Sequence, residues 1–247
     1  MVVAYARAHT SAVIRRTFRN MPTANRLLAA LPRAVYGRMR AHLEPVTLGF
    51  GDVLYEPKGA IRHVYFPVDS LVSLLTVVDL HLALEVGMVG NEGMVGVASA
   101  LGIAASPVRA MVQGAGTATR MKVVRFRAEF RQSEPLRRQV LLYTHALMAQ
   151  VGQTAACNRF HVVEARLARW LLMTRDRVGA DQFRLTHEFL GHMLGVRRVG
   201  VTNAAHALKR RKLIDYSRGS IVILNGRGLE AASCSCYEAV RDRRFRA

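Results

Sequence analysis

The residues with the clearest chemistry lie near the carboxyl end of the chain. Between Arg197 and Arg211, apolar residues recur at three- and four-residue spacing, which predicts an amphipathic helix. The opposite face of that helix carries polar or positive side chains: Arg197, Arg198, Thr202, Asn203 and His206. Arginine can pair with O6 and N7 of guanine and asparagine with N6 and N7 of adenine, so this face is typical of a helix that lies in the major groove of DNA.

Positive charge continues beyond that face. Residues 209–212 are four consecutive basic residues, among them Lys209 and Arg210, which suit contacts with phosphates. Residues 213–216 and 221–224 then predict two short strands around the turn at 217–220. This pattern indicates a winged hairpin, and we expect Arg218 at its tip.

The helix before this face has clear start and stop signals. Thr186 is a suitable N-cap residue, and Glu188 falls in the first turn, where a carboxylate suits the helix dipole. Gly191 leaves room for close packing against another helix, and Gly195 suits a left-handed residue at the helix end. Two helices joined by a short glycine turn predict a helix-turn-helix. A solvated basic helix pair in an ordinary bundle is the alternative.

Composition limits the class of protein. The chain has 247 residues, 36 basic against 17 acidic, and a formal net charge of +19. Residues 183–247 carry 13 basic and 5 acidic residues, whereas residues 46–129 carry 7 of each. This distribution predicts polyanion binding by the carboxyl-terminal third; general basicity of the proteome is the alternative.

Cellular location follows from what the sequence lacks. No apolar run approaches the roughly 20 residues of a membrane helix, so we expect no membrane partner. The first 20 residues contain too short an apolar run before Arg15 and Arg16 for a secretory signal. Three cysteines do not make a disulfide framework. These features together predict a cytoplasmic protein.

The first half of the chain has the pattern of a small β domain. All seven prolines lie at or before Pro135, and such residues punctuate turns. From Leu80 to Met88 apolar residues alternate with other types, as in a half-buried strand. The remaining strand-length segments are 61–66, 71–78, 108–113 and 117–126. The pattern predicts a small barrel or sandwich.

A long helix follows Pro135. Its predicted apolar seam is formed by Leu136, Val140, Tyr143, Leu147 and Val151. The opposite flank is also apolar or small, and it includes Leu141 and Met148. One barrel covers only one side of such a helix, so we predict a parallel helix-to-helix homodimer; burial inside a larger monomer is the alternative. A second helix is expected over residues 162–177, ending near Gly179.

These segments together resemble a known family. Residues 185–220 resemble the winged helix-turn-helix of the bacterial cyclic-AMP-receptor/fumarate-nitrate-regulator (Crp/Fnr) transcription factors. Residues 43–126 resemble their β-roll sensor, in which residues 51–59 correspond to the opening strand and turn. Residues 136–157 resemble their dimer helix.

The resemblance implies an α+β fold with a cyclic-nucleotide-binding-like β-roll, a long dimerisation helix and a carboxyl-terminal winged helix-turn-helix. The implied division is a flexible arm (1–24), the β-roll (25–132), the dimerisation helix (133–160), the DNA-binding domain (161–235) and a basic tail (236–247).

The resemblance also implies a function. It points to a homodimeric, sequence-specific transcription factor on a near-palindromic operator, regulated by an unknown signal at the β-roll. Its implied partners are double-stranded DNA, a second copy of the chain and RNA polymerase. The alternative is a constitutive, weakly specific nucleoid-type protein with a vestigial sensor domain.

Three positions indicate how the operator is read. Arg198 matches the place where the family usually carries a guanine-contacting arginine. Val199 and Asn203 fall where other members commonly carry glutamate and arginine. The operator is therefore expected to differ from the half-site of the cyclic-AMP receptor.

The family's ligand motif is incomplete in this chain. Glu92, between Gly90 and Gly93, is displaced by one residue from the family's ribose-binding turn, and Arg109 is followed by alanine rather than serine or threonine. These four residues remain candidates for effector binding. No cofactor is certain, a cyclic nucleotide stays a candidate, and Glu92 and Arg109 pairing with each other is the structural alternative.

Metal and enzyme chemistry are not expected. Cys157, Cys234 and Cys236 are too few for an iron–sulfur cluster. They are expected to lie far apart and to be ordinary thiols, with a redox or metal pair at 234 and 236 as the alternative. His187 and His192 are five residues apart, which misses the zinc-protease spacing of four. Since phosphate-loop and nucleophile-elbow motifs are also lacking, we predict no enzyme.

Overall fold

The computed structural model describes residues 25–79, 82–217 and 219–245. The predicted arm (1–24) and Arg218 therefore lie outside the described residues. The amino-terminal part opens with two short helices, α1 (Arg26–Ala29) and α2 (Arg33–Arg40). Among the described residues, no helix combines the length and apolar character needed to cross a bilayer.

Seven antiparallel strands form the β-roll. One sheet has the order β1-β7-β3 and the other the order β2-β6-β4-β5. The strands are β1 (Glu44–Leu48), β2 (Val53–Tyr55), β3 (His63–Pro67), β4 (Leu71–Asp79), β5 (Leu82–Val89), β6 (Arg109–Gly114) and β7 (Gly116–Lys122). A 3-10 helix spans Val97–Leu101 between β5 and β6. The small β domain predicted from the turn residues is thus confirmed.

Two details of this domain differ from the prediction. The segment 117–126 is not all strand, because β7 ends at Lys122 and α3 (Val123–Gln132) begins at once. Phe126 lies on that helix and is fully buried in the β-roll core, so packing overrides the β-branched composition of the segment. Glu85 does not face solvent as the alternation on β5 suggested, since it is only 6% exposed.

The long helix is present as predicted. α4 spans Glu134–Phe160, with the Ser133 hydroxyl accepting a hydrogen bond from the Leu136 N–H and a proline in the first turn. The seam residues Leu136, Val140, Tyr143 and Leu147 are buried against the β-roll, and Val151 is half-buried. α4 therefore covers one side of the β-roll with one face only.

The carboxyl-terminal part forms a separate helical layer with a small sheet of order β8-β10-β9. Its elements are α5 (Val163–Val178), β8 (Gln182–Arg184), α6 (His187–Leu194), α7 (Arg198–Arg210), β9 (Ile214–Ser217), β10 (Ser220–Ile223), α8 (Gly226–Ala232) and α9 (Cys236–Phe245). The residues first assigned to a basic tail thus include a helix, α9, which packs on α4.

The helical layer is docked against the β-roll. One apolar cluster combines Leu71, Leu75 and Met88 of the β-roll with the buried residues of α5, α6 and α7. Phe50 and Phe189 place their rings 5.4 Å apart across the same boundary. The helical layer covers β5 on this side, so the outward face of the strand is buried. This contact explains why Glu85 is buried.

Candidate nucleic-acid interface and sensor region

The helix-turn-helix has the local geometry that the sequence predicts. The Thr186 hydroxyl accepts from the Phe189 N–H at 3.1 Å and caps α6. Gly195 ends α6 with φ +61°. A Cβ on Gly191 would lie 2.9 Å from the Val196 carbonyl oxygen, so the glycine is needed where the turn folds back on the helix.

Within the described part of the chain, the polar face of α7 is exposed. Arg197, Arg198, Asn203 and His206 are exposed, and Val199 is 61% exposed. The inward face of the same helix buries Val201, Ala204, Ala205 and Leu208. The helix therefore presents donors, acceptors and one apolar group outward, as base recognition requires.

Thr202 has a different position from its neighbours. Its hydroxyl donates to the Arg198 carbonyl at 3.0 Å and lies 3.0 Å from His187 Nδ1. The His187 ring stacks on Tyr216, with centroids 4.0 Å apart. Burial, followed by the charges of Arg198 and His206, lowers the pKa of His187. His187 thus connects α6, α7 and the β9 strand as a neutral ring, a role that the histidine spacing in the sequence did not reveal.

The four consecutive basic residues are not equivalent. Lys209 Nζ lies 2.7 Å from Asp215 Oδ1, and Arg211 Nη1 lies 2.7 Å from Glu164 Oε1. The hydrogen bond that the Lys209 ammonium donates to the Asp215 carboxylate lowers the pKa of Asp215. Arg210 and Lys212 are exposed. All four side chains are therefore exposed, but two of them are engaged in ion pairs within the domain.

The four candidate effector residues do not assemble into the predicted ligand set. Glu92 pairs with Arg177 of α5 at 2.8 Å, with both side chains buried. Arg109 pairs at the surface with Glu56 at 2.9 Å. The alternative of a Glu92–Arg109 pair is therefore wrong, because α5 brings in an arginine that sequence proximity could not indicate.

The turn that holds Glu92 is already covered by the protein itself. A Cβ on Gly93 would lie 2.0 Å from the Tyr143 ring, and one on Gly90 would lie 2.8 Å from Arg177 Cγ. The Tyr143 hydroxyl donates to the Met94 carbonyl at 3.1 Å. In this arrangement Glu92 is paired with Arg177 and Arg109 with Glu56, and effector binding by these residues stays a prediction.

The cysteines were placed wrongly from the sequence. Cys157 Sγ lies 3.4 Å from Cys234 Sγ, and Cys236 Sγ lies 3.5 Å from His161 Nδ1. The ligand atoms of these four residues all lie within 4.8 Å of one another. The chain folds back so that α9 meets the end of α4, a contact that no local pattern predicts.

Comparison with known proteins agrees with this geometry. A sequence model described as the Crp-like helix-turn-helix domain matches residues 165–232. A search of curated proteins found no match.

Solved structures share the fold. A Crp/Fnr-family transcriptional regulator from Eubacterium rectale matches with a TM-score of 0.63 and 18% identity, covering 85% of this chain and 98% of the other. FixK2 from Bradyrhizobium japonicum matches with a TM-score of 0.67 and 14% identity, covering 78% and 98%. A CRP/FNR-family regulator from Thermus thermophilus matches with a TM-score of 0.64 and 21% identity, covering 77% and 98%.

The chain carries a Crp-like helix-turn-helix domain over residues 165–232, and α7 is the exposed helix of that domain. Its β-roll, long helix and winged domain follow one another as in the matched structures. The chain therefore shares its fold with solved Crp/Fnr-family regulators, and its residues 165–232 match the Crp-like helix-turn-helix domain.

Proposed function

We propose that the chain acts as a homodimer that binds a near-palindromic DNA operator through α7 and changes transcription in response to a signal. The observation that carries this proposal is the exposed polar face of α7 beside outward-facing basic residues. A helix of this kind enters the major groove, and two helices related by a twofold axis reach half-sites about 34 Å apart.

The residues of this face have separate roles in the proposal. Arg198 and Asn203 contact base edges, and the exposed Val199 offers an apolar contact for a thymine methyl group. Arg197 and His206 flank them on the same face. Because its hydroxyl is already engaged, Thr202 positions the helix more than it reads bases.

Phosphate contacts follow from exposure and charge. Arg210 and Lys212 face outward and supply them. Thr186 lies exposed at the start of α6, where a helix N-terminus favours a phosphate. Lys209 is held by Asp215, so its contribution is the smallest. Arg218 stays assigned to the wing tip as a sequence prediction.

Support for the homodimer comes from the uncovered face of α4. Leu141 and Met148 are 48% and 69% exposed, and His145, Gly152 and Ala155 are exposed between and after them. These five residues recur at spacings of four and three, which is the pattern of a coiled-coil seam. A second copy of α4 would cover this stripe and place two α7 helices on one side of the dimer.

Buried polar contacts connect the β-roll, the proposed sensor, with α5 and the helix-turn-helix that follows it. Arg177 of α5 pairs with Glu92, and the Trp170 Nε1–H of the same helix donates to Glu85 at 3.0 Å. A signal that moves the β5 strand or its following turn would therefore shift α5 and the helix-turn-helix behind it. RNA polymerase, in the bacterial cytoplasm, is the protein partner that such a regulator requires.

Selection of bound sequences from a random DNA pool tests the proposal directly. The selected site should be a near-palindrome, and Arg198→Ala should relax base preference at one symmetric position. Lys212→Ala should instead weaken all sequences alike and reduce the salt dependence. Arg33→Ala removes one exposed charge from α2, far along the chain from α7, and serves as the control. Equal losses on the selected site and on random duplex for both α7-side variants contradict the assigned roles.

A further inference from the structure

Four potential metal ligands meet at the junction of the dimer helix and the DNA-binding domain. Cys157 lies in the last turn of α4, and His161 follows four residues later, at the cap of that helix. Cys234 and Cys236 lie between α8 and the start of α9. The three cysteines are buried and His161 is half-buried.

Their separations suit one tetrahedral ion. Zinc–sulfur bonds of about 2.3 Å and zinc–nitrogen bonds of about 2.0 Å place neighbouring ligand atoms roughly 3.5–3.8 Å apart. The Cys157–Cys234 sulfur distance is 3.4 Å, the Cys236–His161 distance is 3.5 Å, and no pair exceeds 4.8 Å. Three cysteines and one histidine form a closed, four-ligand set of the kind that holds a structural zinc ion.

The surroundings carry unbalanced positive charge. Arg166 and Arg169 are both buried, and their positive charges act on the Cys157 sulfur. Among the described residues, Arg166 Nε and Arg169 Nη1 find no hydrogen-bond partner. A buried cation is costly without an opposite charge. Three thiolates and a neutral histidine around a divalent cation have a net charge of −1, which would offset one of these two guanidinium charges.

The neighbouring polar groups also favour a thiolate set. Gln153 Nε2 donates to Cys236 Sγ at 3.0 Å, whereas the Arg169 Nη2 bond to the Thr154 hydroxyl at 3.0 Å holds a nearby guanidinium and does not contact a ligand. These contacts come from the same end of α4 as Cys157. Hydrogen bonds of this outer layer orient metal ligands and tune their basicity.

We propose that Cys157, His161, Cys234 and Cys236 bind one Zn²⁺ ion, or an ion with the same tetrahedral preference. Binding releases the three thiol protons to solvent and changes no oxidation state. Because His161 lies where α4 gives way to α5, and Cys234 follows α8, the ion would tie both ends of the DNA-binding domain to the dimer helix. It would thereby fix how the reading helices are held, a consequence that rests on the proposed function.

Metal analysis of the full chain tests the site without reference to DNA. After reduction, loading with Zn²⁺ and removal of excess ion, we expect about one zinc per chain by mass spectrometry. Co²⁺ should give the absorption of a tetrahedral thiolate complex. Cys157→Ser and Cys236→Ser should each weaken binding by on the order of tenfold or more, and His161→Ala should change the Co²⁺ spectrum.

Matched controls separate the site from general effects. His42→Ala removes an exposed histidine that lies outside the site and outside the proposed dimer seam, and Ser235→Ala changes the residue between two ligands; both should retain zinc and the Co²⁺ spectrum. Circular dichroism identifies a cysteine variant that fails to fold. If a cysteine variant does not fold, the comparison of the Co²⁺ spectra of wild type and His161→Ala tests the site instead. Zinc binding that is absent in the wild type, or unchanged in every ligand variant, overturns the proposal. So does a Cys157–Cys234 disulfide in a protein that takes up no ion after reduction.

A separate measurement tests the link to DNA. Removing the ion by chelation should weaken binding to the selected operator by on the order of tenfold, and re-addition of Zn²⁺ should restore it. If zinc binds but operator affinity does not change, the tie to the reading helices is overturned and the ion site stands. If no operator can be selected at all, the proposed function fails while the metal analysis remains interpretable.

Discussion

Glu85 makes the stability of the docked structure depend on pH. It lies on β5 and accepts from the Trp170 Nε1–H of α5 at 3.0 Å, so it joins the β-roll to the DNA-binding domain. Burial raises the pKa of Glu85 from 4.5 to about 7, against the opposing effects of Ser73, Trp170, Arg169 and Arg177.

The local hydrogen bonding agrees with a protonated Glu85. The Ser73 hydroxyl contacts both Glu85 Oε2, at 2.5 Å, and Gln113 Oε1. One hydroxyl proton can serve only one of these two acceptors. The missing donor is either the O–H of a protonated Glu85 or the Gln113 amide turned by 180°, which would also give the buried Gln113 Nε2 a partner.

The direction of the pH effect follows from linkage. Between pH 4.5 and 7 the native state keeps a proton that the unfolded state has released, so the free energy of unfolding falls as the pH rises. The contribution is fully present below about pH 4.5 and is lost above about pH 7. A shift of this size corresponds to roughly 3 kcal/mol.

Glu85→Gln imitates the protonated carboxyl at every pH. Its amide can donate to Ser73 and accept from Trp170, and it carries no charge. We expect the free energy of unfolding of the variant, minus that of the wild type, to increase by about 2 kcal/mol from pH 5 to pH 8. Urea unfolding at pH 5, 6, 7 and 8, followed by tryptophan fluorescence, measures this difference because Trp170 is the sole tryptophan.

Glu56→Gln provides the matched control. It removes a surface carboxylate that pairs with Arg109, and such a change should stay within about 0.5 kcal/mol at every pH. A difference between Glu85→Gln and wild type that does not vary with pH would refute the reasoning.

Three further outcomes follow from other contacts. Thr186→Ala removes the cap of α6 and should lower the free energy of unfolding by about 1 kcal/mol, measured by urea unfolding against Thr186→Ser, which keeps the hydroxyl. Gly195→Ala places a side chain at φ +61° and 2.6 Å from Leu84 Cδ1. It should lower the free energy of unfolding by about 1–3 kcal/mol. The control Gly200→Ala lies within α7 without a close contact, and it should leave stability unchanged or raise it. Met148→Glu puts like charges into the proposed dimer seam and should shift the chain to monomer in analytical ultracentrifugation, whereas Arg33→Ala should not; an unchanged dimer in Met148→Glu contradicts the seam.

Elements with local causes could be predicted from the amino-acid sequence. The capping threonine at 186, the left-handed Gly195 and the apolar period of α7 all lie within one short segment. Their signals therefore survive without knowledge of the rest of the chain. The same holds for α4, since Pro135 and the seam residues specify a long helix with one buried face.

Contacts between residues far apart in the sequence became visible only in the folded chain. Glu92 and Arg177 are 85 positions apart, and Cys157 and Cys234 are 77 positions apart. The burial of Glu85 likewise depends on a helical layer that arrives from another part of the chain. Such contacts form because apolar surfaces of β5, α5 and α6 exclude water together, and the polar residues between them must then find partners. Local periodicity predicts which helix or strand a residue belongs to, but not which distant residue it contacts. For this reason the cluster of three cysteines and one histidine could not be predicted from the sequence.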